Sequence, residues 1–358
     1  MFDEYKQVLR WNAIGLARDG ATFTARMSEL IAADDKLLGF AVSALKTGQP
    51  PNFMLLSAVQ YLLAQDRSSK LSRVHPFVTG RPIAADEIFP EFKAYCLRYA
   101  DRIKPLLAGR STQYTTPNRC ALLAPCVAWV AERAGEPIAL VDVGCALGLN
   151  LLLDCYGYDY GARGRVDNPR SSIVLPCQVS ESSEALPMRL PEIGSRLGLD
   201  LHIYDMNDPD ERRWQMANLF ADWPHEQALI QSALALRDEI RPTLVQGDAL
   251  ELLEQHLAPI AGPLCVMHCN FLYQLSPAQR DRLDAVLRDV SRKRPVHRVG
   301  VDAIGLKLDP AEAARRLLDP DTPSFDITYT AYDGGDAQAR ILGYCDSWGR
   351  KLDWHPTA

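Results

Sequence analysis

Three features of the sequence predict an α/β fold with a mostly parallel sheet and an all-helical region ahead of it. Apolar positions recur at helical spacing through the first 112 residues, short apolar strands alternate with helices from Thr116 onward, and a two-glycine hairpin lies near the end. In order, YKQVLRWNAIGLA and FMLLSAVQYLLAQ carry the three- and four-residue periodicity of helices. The tract SSKLSRVHPFVTGRPIAADEIFP, with three prolines, reads as a loop, and EFKAYCLRYADRIKPLL as one further helix. Residues 1–112 form the predicted helical domain and 113–358 the α/β domain.

Thr116-Pro117 is an N-cap followed by proline at the first helical position; the helix it opens is kinked at Pro125 and ended by Gly135. Ile138–Val143 is too short and too apolar for anything but a buried strand, and a glycine turn separates it from a predicted helix beginning near Asn150. The stretch SSIVLPCQVSESSEALPMRLP is expected to form an inserted hairpin near 165–195. Arg196–Ile203, Pro242–Asp248 and Pro263–Cys269 are strands, each followed by helical sequence. Ser276-Pro-Ala-Gln279 is a capping box opening a helix that buries Leu283, Val286, Leu287 and Val290. Val296–Ala303 is a strand, Asp309-Pro-Ala-Glu312 starts a helix, and Phe325–Tyr332 pairs with Ala339–Tyr344 across Asp333-Gly334-Gly335.

Composition excludes several classes of function. Acids outnumber bases by 45 to 39 and the one basic cluster is Arg292-Lys293-Arg294, so no broad basic face is expected for nucleic acid. Nine scattered cysteines without a CxxC pair fit reduced thiols in a cytoplasm. Strand alternation sends His268 and Cys269 to opposite faces, which argues against a metal site in CVMHC. No run reaches the roughly 18 apolar residues of a membrane span and no basic-apolar leader opens the chain, so a cytoplasmic protein acting on a small molecule is expected.

The glycine turn, VDVGCALGLNLLLD at 141–154, can be tested against known loop chemistries. A phosphate-cradling loop needs a lysine that is absent. A nucleophile elbow would place Ala146 where a serine or cysteine must stand. The dinucleotide pattern GxGxxG falls on Gly144, Ala146 and Leu149 and misses two of its three glycines. What remains is an acid followed by GxGxG with one substitution: Asp142, Gly144, Ala146 and Gly148. This resembles the first motif of class I S-adenosylmethionine-dependent methyltransferases; the competing reading is a purely structural turn.

The resemblance implies a Rossmann-like methyltransferase fold with S-adenosylmethionine as cofactor. Gly144, Cys145 and Ala146 would let backbone approach it, N–H groups from Gly148 to Asn150 would hold its carboxylate, and Asp142 would meet its ammonium. Asp200, or alternatively Asp205, would accept the ribose hydroxyls, although Asp200 lies well beyond the roughly twenty-residue spacing usual for that acid. Asp248 and Ala249 would hold the adenine; Asp248 serves equally well as the N-cap of ALELLEQHL. His268, as a general base, with Asn270 and Tyr273 orienting the acceptor, would face the transferred methyl; His268 reads equally as a hydrogen-bonded core histidine.

PPNFMLLSAVQYLL, TQYTTPNRCALLAP, VDVGCALGLNLLLDCYGYDYG, GLDLHIYDMNDPDERRW and VMHCNFLYQLSPAQRDRL together resemble a bacterial family of uncharacterised proteins, a domain of unknown function. That resemblance spans roughly residues 10 to 350 and implies a core similar to methyltransferases. The family's usual Asn-Glu pair ahead of the arginine is replaced here by Thr116, Pro117 and Asn118 before Arg119. Gln113 and Arg119 are the expected substrate contacts, with a solvated helix-start arginine as the alternative for Arg119. The leading expectation is a methyltransferase whose helical domain covers the cofactor cleft. The alternatives are a non-catalytic protein of the same fold that binds a nucleotide-like ligand, and a nicotinamide-dependent oxidoreductase.

Overall fold

A computed structural model describes residues 2–303 and 324–357. The predicted helix start at Asp309 lies outside the described residues. The chain divides into two compact units, one comprising Met1–Tyr114 with Tyr204–Ala228, the other Thr115–Ile203 with Leu229–Ala358. None of the helices described is long and apolar enough to cross a membrane.

The first unit is helical and is built on Pro51–Gln65, which is buried along nearly its whole length. Proline at its first position needs no N–H partner and presets the helical φ. Helices Thr22–Ala33, Asp35–Val42, Ala100–Gly109 and Pro209–Ala217 pack around it. Two polar residues it carries inward donate to fixed acceptors: Asn52 Nδ2 donates to Ser28 Oγ at 2.9 Å, and Gln60 Nε2 donates to the carbonyls of Ala217 and Leu219 at 2.7 and 3.0 Å. The single helix expected over EFKAYCLRYADRIKPLL is two, Ala85–Arg98 and Ala100–Gly109. The chain leaves helical geometry at Tyr99 (φ −103°, ψ 28°), where neither proline nor glycine marks the break.

The second unit holds twelve strands among the described residues: β1 (Ile138–Val143), β2 (Gly157–Asp159), β3 (Arg165–Val166), β4 (Val174–Pro176), β5 (Gln178–Val179), β6 (Ile193–Asp200), β7 (Thr243–Gln246), β8 (Leu264–Cys269), β9 (Val296–Ala303), β10 (Phe325–Asp333), β11 (Asp336–Cys345) and β12 (Lys351–Trp354). Nine of them form one sheet in the order β5-β12-β11-β10-β9-β8-β1-β6-β7, and β3-β2-β4 form a second, small sheet. The run β7-β6-β1-β8-β9 is parallel throughout, and β9 through β12 are antiparallel neighbours. The β10-β11 hairpin closes on Gly334 and Gly335, both at positive φ as a two-residue turn of this kind requires. Val141, Val143, Leu199 and Val266 meet Leu253, Leu257, Leu283 and Leu287 of the helices Ala249–Leu257 and Pro277–Ser291 to make the core. The latter helix starts with the predicted Ser276–Gln279 capping box.

Helix Cys120–Ala134 runs through Pro125 and ends at Gly135 in the left-handed region. Pro125 cannot donate to the carbonyl of Ala121, and the buried Tyr160 hydroxyl donates there instead, at 3.1 Å.

Two expectations are overturned here. No α-helix follows the glycine turn; Leu149–Leu152 is one turn of 3-10 helix that leads into β2. The buried hydroxyls of Tyr156 and Tyr158, seven and five residues further along the chain, donate to the carbonyls of Leu149 and Leu153, which an α-helix would have used for its own N–H groups, so side-chain hydrogen bonds compete with the helical pattern. The inserted hairpin near 165–195 is also absent: β4 pairs with β2 and β5 with β12, both parallel, instead of with each other.

Candidate functional site

Counted among themselves, the five parallel strands follow the doubly wound order 3-2-1-4-5, so the chain reverses its direction of travel across the sheet between β1 and β8. Ligand crevices of such sheets lie beyond the carboxyl ends of the strands at that reversal. The turn Gly144–Gly148 leaves β1 there, and the loop Asn270–Gln274 leaves β8 beside it.

Asp142, near the end of β1, is fully buried, and among the described residues neither carboxylate oxygen reaches a donor at hydrogen-bonding geometry. Burial, reinforced by the negative charge of Asp200, raises its pKa to about 7, with the Asn150 amide and the Arg119 charge acting the other way. A buried carboxylate with no donor is costly, so this residue is the first candidate for a ligand contact.

The turn itself takes three left-handed residues at alternate positions: Gly144 at φ 78°, Ala146 at 51° and Gly148 at 72°. Ala146 therefore adopts the backbone conformation that glycine would have at the centre of the motif, at a cost of about 1–2 kcal/mol. It is braced by Asp200, whose Oδ2 accepts the Ala146 N–H at 2.8 Å while Oδ1 accepts from His202 N at 3.1 Å. Ala146→Gly should leave stability within about 1 kcal/mol, because relief of the left-handed strain is offset by the greater freedom of an unfolded glycine; denaturant midpoints check this.

The two glycines answer to packing as well as to φ. A Cβ at Gly144 would stand 2.7 Å from Phe271 Cδ2, and one at Gly148 would stand 2.9 Å from Leu244 Cδ2. Gly148→Val combines that contact with a β-branched side chain at positive φ. It should cost about 2–3 kcal/mol in urea unfolding, which makes it a probe of the turn's packing as much as of any ligand.

Among the remaining sequence-predicted residues, Asp248 N-caps the helix Ala249–Leu257, accepting from Leu250 N at 2.8 Å, and Ala249 packs into the core. Asp205 accepts the Asn207 N–H within a loop of the first unit, whereas Asp200 stands beside Ala146 in the second. Gln113 falls in the first unit and Arg119 in the second. Arg119 is nearly buried; its Nε donates to Ser347 O at 3.0 Å and its guanidinium lies over the Trp348 ring. Burial raises the pKa of Asp142, Cys269 and Tyr273, and the Arg119 charge opposes that rise at all three, so Arg119 faces the carboxyl ends of β1 and β8 from the N-terminal end of helix Cys120–Ala134.

His268 is wholly buried, its ring lying against Gly300, where any Cβ would collide with it, and its Nδ1 stands 2.8 Å from Asp302 Oδ2. Asp302 Oδ1 accepts the N–H groups of Phe271 and Leu272, both at 3.0 Å, and so fixes the loop after β8. That loop carries Asn270, itself left-handed at φ 55°, and the exposed Tyr273. Asp302 escaped the sequence reading; the signal for it is the acid that ends the apolar strand VHRVGVDA, next to the strand bearing His268.

The fold and site thus define a doubly wound α/β unit with a left-handed glycine turn at its reversal point, beside a buried carboxylate that meets no donor among the described residues. Over residues 6–354 the chain matches the family described as "Uncharacterized protein conserved in bacteria (DUF2332)", and it belongs to that family. No curated protein matches it.

Proposed function

We propose that the turn Gly144–Gly148 binds S-adenosylmethionine and that the protein is a methyltransferase acting on a small-molecule acceptor. The observation that carries this reading is Asp142: a fully buried carboxylate with no donor at hydrogen-bonding geometry among the described residues, at the strand end where a doubly wound sheet takes its ligand. The ammonium of the cofactor's amino-acid group would supply the missing donor. Asp200, which braces Ala146 beside the turn, would face the ribose hydroxyls, and the short turn opened by Gly148 offers N–H groups to the cofactor's carboxylate. When bound, the cofactor supplies an electrophilic methyl group on sulfur. The chain's own part is alignment and exclusion of water, with Asn270 and Tyr273 orienting the acceptor and Arg119 offering a cation to an acidic one. His268, enclosed beneath the loop, acts on it through Asp302 and not on the acceptor.

A second reading, a non-catalytic protein of the same fold, draws on the packing reasons found for both glycines and on the burial of His268. Calorimetric titration separates the readings. Saturable binding of S-adenosylmethionine and S-adenosylhomocysteine, with none of NADH, is the expected result. No heat with either sulfur compound, from folded protein, would sink the methyltransferase, and binding of NADH alone would point to a nicotinamide site.

A further inference from the structure

The first unit contains a cavity of about 290 Å³ that shares no residue with the glycine-turn site. Three arginines line it, Arg67, Arg212 and Arg213, together with Asn207 and an apolar wall that includes Phe77 and Met216. Two of the arginines are held in place. Arg212 donates from Nε to Met206 O at 2.7 Å, and Arg213 lies over the Tyr61 ring while one of its nitrogens stands 3.5 Å from Asp210. Asp210 is the only acid paired with any of the three among the described residues, and it is shared with the Tyr61 hydroxyl and with Arg110. Arg67 makes no ion pair among the described residues.

Positive charge is therefore gathered around one concavity with less negative charge than it needs, and like charges held together repel. Planar guanidinium groups match carboxylate and phosphate oxygens in paired hydrogen bonds, and groups already fixed lose little entropy on binding. The volume falls at the low end of the roughly 300–1,000 Å³ usual for ligand pockets. We propose that this cavity is a binding site for a small organic anion, whose phosphate or carboxylate is held by Arg67, Arg212 and Arg213 and whose apolar body rests on Phe77 and Met216.

The test is calorimetric titration of the full chain with phenyl phosphate, benzoate, inorganic phosphate and benzyl alcohol, repeated on Arg67→Gln and on Arg67→Gln/Arg212→Gln. Arg67 is exposed, so its substitution leaves folding intact, which circular dichroism verifies. At least one aromatic anion should bind, more tightly than inorganic phosphate, and benzyl alcohol should not. Arg67→Gln should weaken binding about tenfold, the double variant should weaken it further, and added salt should lower the affinity. The aromatic anion that binds more tightly tells phosphate from carboxylate as the preferred group. The proposal is overturned if neither aromatic anion binds, if the variants bind as well as the unaltered chain, if benzyl alcohol binds equally, or if inorganic phosphate binds as tightly as the aromatic anions.

Discussion

Asparagine in place of Asp142 should stabilise the protein at alkaline pH and, at the same time, abolish the proposed binding of S-adenosylmethionine. The stability effect follows from the carboxyl's raised pKa, about 7 in the folded chain against roughly 3.9 in an unfolded one. Between those values the folded state keeps a proton that the unfolded state has released, so stability falls as pH rises through that window and the full penalty is present above about pH 7. The interval corresponds to roughly 4 kcal/mol at most. Asparagine has nearly the same shape and no charge to desolvate. Urea unfolding should therefore show a gain of about 2–4 kcal/mol at pH 8.5 that shrinks toward zero near pH 4. A gain that does not change with pH would contradict the assignment of a buried, unpaired carboxylate.

The binding effect has the opposite sign. If Asp142 meets the cofactor's ammonium, removing one partner of a buried charge pair costs about 2–5 kcal/mol, or more than about thirtyfold in affinity. A residue that destabilises the free protein and is needed for the ligand is what a binding site under strain looks like. A variant that is more stable and binds just as well would show that Asp142 is a burial defect with no ligand role.

The second large effect concerns Asp302. Alanine there should destabilise the protein by about 3–5 kcal/mol, because one side chain faces His268 and accepts the N–H groups of Phe271 and Leu272. Asparagine keeps an acceptor oxygen for the two N–H groups and should cost about half as much. Denaturant midpoints of the two variants, read side by side, distinguish a buried network from simple loss of packing. Equal losses would mean that the N–H contacts contribute nothing.

Sequence patterns located most of the sheet because its strands are short apolar runs between clear stops. Ile138–Val143, Thr243–Gln246 and Leu264–Cys269 all lie within the predicted segments, and the Ser276–Gln279 box and the Gly334-Gly335 turn carry their geometry in their residue types. What escaped depended on side-chain contacts that apolar spacing does not register. The helix expected after Gly148 gives way to a 3-10 turn because Tyr156 and Tyr158 take its carbonyls, and a periodicity count does not see a hydroxyl folding back. The place of Tyr204–Ala228 with the helical unit has no local signature. At the candidate site, spacing alone singled out Asp142 and the turn as candidates, but the brace from Asp200 to Ala146 and the contacts of Asp302 needed strand register.

The most direct test of the central claim is photochemical cross-linking of radiolabelled S-adenosylmethionine to the full-length chain, followed by trypsin and peptide mapping. Cleavage after Arg133 and Arg163 releases residues 134–163, which carry β1, the glycine turn, Asp142 and Asn150. Label concentrated in that peptide, competed away by S-adenosylhomocysteine and lost in Asp142→Asn, is the predicted result. Label confined to other peptides, or the same labelling in the Asp142→Asn protein, would contradict it.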